Sequence, residues 1–201
     1  MQYFKKDGNE ATTLYHKAGI YAEFGKVVCI SIGSLQRHNF KHSLHIKSFF
    51  GDNEKLLLKE FKEFLWTNNP KKNMQLCAHN GKEFDFPFLA RRMLINGIKL
   101  PPALDNSGKK PWEVNHIDTL DLWKFGDYKN YSSLALLAAV FSIPSPKNDM
   151  DGSQVAKVYW EEKNLKRIVS YCQKDVLTLA QLLLKFKGEQ IIEAGNVFIA
   201  E

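Results

Sequence analysis

Cysteine is scarce in this 201-residue chain, which has only Cys29, Cys77 and Cys172. The count is odd and no pair has metal-ligand spacing. That excludes a zinc ribbon and a disulfide-stapled scaffold. All three cysteines lie in apolar runs, so reduced core thiols and a cytoplasmic setting are the expectation. No apolar run is long enough to span a bilayer. The start is polar, with Lys5, Lys6 and Asp7, and lacks the apolar stretch of a secretion signal. Internal repeats and low-complexity tracts are missing too, which removes solenoid and linker readings. Acidic residues are outnumbered, 22 against 28 lysines and arginines, for a net charge of +6. An excess this small is compatible with a polyanionic partner without proving one. Apolar residues make up 44% of the chain, enough for one full core.

Hydrophobic periodicity supplies the outline. Residues 1–24 are poorly patterned and read as loop with some short helix; Tyr15, Ile20, Tyr21 and Phe24 are candidates to cover part of the core. Residues 26–33 (KVVCISIG) read as a strand, apolar, β-branched and stopped by glycine. Residues 38–50 give a second strand, best over 44–50, and the polar turn at 36–41 makes the pair an antiparallel hairpin. The spacing then predicts a helix over 53–66, a strand over 74–79, a helix over 86–96, a loop over 101–115 and a strand over 115–119. Helices follow over 120–125, 133–141, 154–159 and 165–184, and the tail after Gly188 is weakly patterned. This alternation describes an α/β domain with a mixed sheet. The expected division is a segment over 1–24, a domain over 25–187 and a tail over 188–201.

Two stretches carry the chemistry. On the last helix, Leu165, Ile168, Val169, Cys172, Val176, Leu179 and Leu183 form a core-facing stripe. Tyr171 and Asp175 sit one turn apart on its flank, a phenol beside a carboxylate. Residues 80–85 (NGKEFD) lie where a short strand hands over to a helix, the end of an open α/β sheet at which ligands bind. Asp85 alone is explained as a helix start with favourable acid placement.

Taken together, Asn-x3-Phe-Asp before a helix, a strand with Asp118-Thr119, and Tyr-x3-Asp on a terminal helix resemble the DEDD exonucleases of ribonuclease H-like fold, in the tyrosine subclass. The closest resemblance is to the stand-alone 3′–5′ exonuclease family related to proofreading domains of family B DNA polymerases. AEFGKVVCIS, AHNGKEFDFPFLARRM, GKKPWEVNHIDTLDLWKFGDY and DGSQVAKVYW, leading to YCQKDV, carry it over roughly residues 15–185. The resemblance implies hydrolysis of phosphodiester bonds at single-stranded nucleic-acid 3′ ends, DNA foremost, by two divalent cations, Mg²⁺ or Mn²⁺. It implies Asp175 as a metal ligand, Asp85 as holder of the second metal, and Tyr171 as the group orienting the attacking water. Asn80 and Phe84 belong to the motif: Asn80 is a candidate contact for the terminal nucleotide, and Phe84 also reads as a core side chain. Asp118 is evenly balanced between an ancillary site role and a capped strand–helix junction.

One part of the pattern is missing. The family opens with Asp-x-Glu on the first, central strand of a mixed sheet with flanking helices, and nothing before Lys26 reads that way. Residues 7–10 have the wrong spacing; Glu23 has no aspartate two residues earlier. Asp52-Asn53-Glu54 has the right spacing but opens a helix, where the aspartate reads as a cap and the glutamate as a first-turn acid. The sheet is thus expected to lack its first central strand. Met1 as an internal start explains this; loss of activity is the alternative. Asp85 and Asp175 alone, if close, are expected to repel and to raise one pKa. The chain as it stands is therefore expected to be weak or inactive, and a non-catalytic nucleic-acid-binding domain or a protein-interaction module is the rival reading. Lys109, Lys110, Trp112, Trp123, Phe125, Tyr128 and Tyr131 are minor candidates for backbone or base contacts. Asp121 reads as a helix-surface carboxylate, and the six histidines as ordinary surface or strand residues.

Overall fold

Strand β1 (Cys29–His38) turns back through Asn39 and Phe40 into β2 (Lys41–Phe50), paired antiparallel over all ten positions. Both turn residues have positive φ, 45° and 65°, as a two-residue turn matched to strand twist demands. The structure is a computed structural model that describes residues 18–69, 73–144 and 150–200. Tyr15 and the polar run at 7–10 lie outside the described residues.

The hairpin is joined by β5 (Val197–Ala200), parallel to β2 with Leu44 opposite Val197. This strand lies in the tail, where the sequence pattern is too short and weak to announce it. A separate pair, β3 (Cys77–Ala78) and β4 (Ile117–Asp118), runs parallel. Among the described residues six helices flank these strands: α1 (Glu54–Thr67), α2 (Asp85–Ile95), α3 (Thr119–Lys124), α4 (Leu134–Val140), α5 (Val155–Trp160) and α6 (Leu165–Phe186). The architecture is the mixed α/β one expected, with a small mixed sheet and flanking helices. Among the described residues no helix is long and apolar enough to cross a membrane.

Although no hydrogen bonds join the two sheets among the described residues, one core does. Ile30 and Phe49 from the hairpin pack with Leu57, Leu58, Phe61 and Leu65 of α1 and with Phe86 and Met93 of α2, while Leu76 and Ala78 close in from the β3 side. Each such side chain contributes about 1.5–3 kcal/mol by leaving water. Helix α6 covers the hairpin through Leu44, Ile46, Val176 and Leu184. Gly33 permits that approach: a Cβ there would stand 2.7 Å from Val176 Cγ1 and 2.9 Å from Leu44 Cδ1.

Several expectations are corrected. Ile20, Tyr21 and Phe24 are exposed, and Ala22 is the buried residue of that segment. Helix α1 is capped by Asn53, whose side chain accepts from the Leu56 amide, rather than by Asp52. Asp52 instead accepts from the Tyr159 hydroxyl at 2.7 Å. Glu54 is no surface acid. Its Oε1 accepts from Val27 N–H and Arg92 Nε–H, both at 2.8 Å, and Oε2 from Arg92 Nη2–H and Asn96 Nδ2–H. Arg92 also donates from Nη1 to the Ala22 carbonyl. Burial pushes the Glu54 carboxyl up, but Arg92, the Val27 amide and Asn96 outweigh it and hold the pKa below its usual value. The three thiols are free and half-buried rather than fully in the core.

Candidate active site

The site forms where α6 passes the start of α2. Tyr171 and Asp175 sit one turn apart on α6, and the Tyr171 hydroxyl donates to the Asp175 carboxylate. Burial raises the Asp175 pKa, with the Tyr171 hydrogen bond opposing. Burial, then the charge of Asp175, pushes the Tyr171 phenol well above its ordinary value, so it stays neutral. The 3-10 turn Gly152–Gln154, capped by Asp151, runs past the phenol; a Cβ on Gly152 would stand 3.8 Å from the Tyr171 hydroxyl. Cys172, next to Tyr171, packs with Cys29 of β1 against the cluster of Val28, Val158 and Ile168.

Asp85 is the first residue of α2, where free amides and the helix dipole favour an acid. Burial pushes its carboxyl up to about 6; its own amide opposes this, and the charges of Asp118 and Asp175 add to it. Asp85 is nonetheless exposed at the surface, so solvent screens much of the effect. Asp85, Tyr171 and Asp175 thus share one electrostatic neighbourhood.

Asp118, at the end of β4, is 3% exposed. Its Oδ1 accepts from the Asn80 amide at 2.8 Å and the Leu120 amide at 3.0 Å, and Oδ2 from the Lys82 amide at 3.0 Å. The carboxylate thus holds the 80–82 turn and caps α3. Asn80 has a φ of 62°, a conformation asparagine tolerates. Gly81 has no room for a side chain, since a Cβ would stand 2.3 Å from that of Ala78. Phe84 is not a core side chain: it is 43% exposed, with its ring 5.5 Å from that of Phe88.

Pattern reading missed two histidines. The buried His116 accepts from the Leu76 amide at Nδ1 and donates from Nε2 to the Ala103 carbonyl, which fixes a neutral ring. His79 donates from Nε2 to the Ser132 carbonyl, and its Nδ1 pairs with the Thr119 hydroxyl. Their place in short apolar strands is the signal that marks them as structural. The minor candidates divide. Trp123 packs on Phe141 and Phe186, whereas Phe125, Tyr128, Tyr131 and Trp112 are exposed. Lys124 lies 4.6 Å over the Tyr131 ring, and Lys110 lies 5.3 Å over that of Trp112. Asp121 pairs with Lys82 and Lys124 at the surface.

A two-metal centre needs several carboxylates shared between the ions. Among the described residues, no three His, Cys, Asp or Glu side chains gather as a metal-holding group. Asp85 and Asp175 are two carboxylates, and Asp118 is committed to backbone amides. This donor set does not fit a pair of divalent cations.

A family model described as a predicted 3′–5′ exonuclease related to the exonuclease domain of PolB matches residues 20–191. Curated relatives include DNA polymerase 1 of Pyrococcus abyssi, 25% identical over 191 residues, which covers 87% of this chain and 24% of the polymerase. The DNA polymerase of Pyrococcus horikoshii is 26% identical over 123 residues, covering 55% of this chain and 10% of the polymerase. The chain thus spans about a quarter or less of the curated relatives it matches.

Proposed function

We propose, on the premise that the chain belongs to the family of predicted 3′–5′ exonucleases related to the exonuclease domain of PolB, that it is the scaffold of a metal-dependent nuclease acting on single-stranded 3′ ends, DNA foremost. The observation that carries this reading is the meeting of Asp85, at a helix start after a short strand, with Asp175 and its hydrogen-bonded Tyr171. What the chain itself brings is a neutral phenol and two carboxylates. Tyr171, kept neutral and pinned to Asp175, is a fixed hydroxyl for orienting a water. Asp85 supplies a second carboxylate, its pKa raised to about 6 by burial.

Among the described residues two carboxylates are too few for the full reaction, and a site with these alone would be weak or inactive. Donors that complete such a site would fit an apolar strand bearing Asp-x-Glu between the hairpin and the β3–β4 pair, which among the described residues share a core but no hydrogen bonds. The rival reading, a nucleic-acid-binding domain without catalysis, is favoured by the short donor set.

Hydrolysis of an end-labelled single strand with Mn²⁺, against a chelator control, separates the two. The chain carrying such a strand at its front should shorten the label from the 3′ end, and Asp175→Ala in that form should abolish it. Equal rates for Asp175→Ala and the parent would remove Asp175 from the site. Salt-sensitive binding without cleavage in every form would leave the binding reading.

A further inference from the structure

Beyond the carboxylates, a cavity of about 390 Å³ opens at the far end of α5, lined by Asp52, Tyr159, Trp160, Lys163 and Leu165. Its chemistry is unusual for a surface hollow. Trp160 leaves 59% of its surface in solvent, although indole is a side chain that folding normally hides. Two ammonium groups lie over that ring, Lys26 Nζ at 5.7 Å and Lys163 Nζ at 5.4 Å. Lys26 is held in place: it donates to the Tyr159 hydroxyl at 2.8 Å, which donates to Asp52 at 2.7 Å. Lys163 follows the end of α5 with a φ of 53°, which brings its side chain back over Trp160. Tyr159 closes the floor, its ring edge-on to Trp160 at 4.7 Å.

A flat aromatic face, two cations and one carboxylate that can accept from an exocyclic amine match a single ligand class. Nucleobases stack on such faces, and phosphates seek such cations. We propose that the Trp160 pocket holds one nucleotide, its base stacked on the indole and its phosphate between Lys26 and Lys163. This rests on the nuclease reading and adds a place for the strand away from the reacting end. The distance suits that role. Helix α5 has six residues, and at about 1.5 Å per residue it separates the turn beside Tyr171 from Trp160 by roughly 9 Å, a few nucleotides of strand.

The test is fluorescence anisotropy of a labelled dA12 oligonucleotide with the full chain in chelator, so that cleavage plays no part. Trp160→Ala should weaken binding roughly tenfold, with Trp160→Phe keeping most of it. Lys163→Ala, at an exposed position, should lower the slope of log affinity against log salt by about one. Displacement of the oligonucleotide by 5′-AMP at stoichiometric excess would assign the pocket to a free mononucleotide; failure of 5′-AMP to displace it would assign the pocket to a strand. Unchanged affinity and salt slope in both Trp160→Ala and Lys163→Ala, with unchanged thermal melts, would overturn the proposal. That result would leave the Asp175 cleavage test untouched, because nothing here depends on hydrolysis.

Discussion

Glu54, a buried acid, and Asp85, an exposed one in the electrostatic neighbourhood of Asp175, are treated by the fold in opposite ways. Four N–H donors converge on Glu54, two of them from one guanidinium. Asp85 loses hydration beside two further carboxylates, Asp118 and Asp175, and its own amide only partly offsets this. In the first case the pKa falls; in the second it rises. One arrangement ties the entry to β1, the start of α1 and the middle of α2 into a single joint. The other keeps charge under tension where a ligand could relieve it, which is how functional sites differ from structural ones.

The sharpest way to break this comparison is to remove Arg92. Arg92→Ala leaves Glu54 buried without its cation and should cost about 3–5 kcal/mol in urea unfolding. Because the folded pKa of Glu54 lies below its unfolded value, that stability is present above the unfolded pKa and is lost as pH falls through the folded one. A loss under 1 kcal/mol would mean that Glu54 is as solvated as Asp85, and the contrast would dissolve.

Asp118 lies between the two cases, an acid beside the site but fully used by the backbone. Asp118→Ala strands the amides of Asn80, Lys82 and Leu120 and should cost about 1–3 kcal/mol. Faster hydrogen exchange at Asn80 and Lys82 than elsewhere would confirm that the loss is local. Uniform exchange would assign Asp118 no special hold on the turn.

The smallest effect should have the opposite sign. The Asp85 pKa is raised in the folded state, so folding favours its protonated form, and stability falls as pH rises from the usual carboxylate range through about 6. Asp85→Asn should therefore raise the melting temperature at pH 7.5, by on the order of 1–2 °C after solvent screening. The gain should shrink below about pH 6 and vanish by about pH 3, where the wild-type carboxyl is protonated in both states. A lower melting temperature at pH 7.5 would place Asp85 with Glu54.

Much of this was legible because it depends on local spacing. The stripe of α6 is written every three or four residues, and β1–β2 alternate around a turn that asparagine suits. What was hidden depends on partners far along the chain. Asp52, Asn53 and Glu54 are all plausible helix-start residues, and only Arg92, 38 positions later, decides which one is buried. Phe84 reads as core by type, yet it stands at the N-cap of α2 and is exposed there. Strands β3 and β4 were expected to run longer; each pairs for two residues, because each is the other's sole hydrogen-bonded neighbour among the described residues. Asp118 could not be resolved from sequence, since a turn-holding carboxylate and a ligand look alike in one dimension.

The hairpin has a consequence for how copies of this protein meet. Among the described residues β1 pairs only with β2, so every second amide and carbonyl along its ten residues points sideways from the sheet. Such a margin is a template on which another chain can crystallise as an extra strand. At the tip of the hairpin stand Arg37 and Lys41, cations on a molecule already positive. Two identical margins approaching each other bring these like charges together first, so mutual repulsion works as a colloidal guard for the edge.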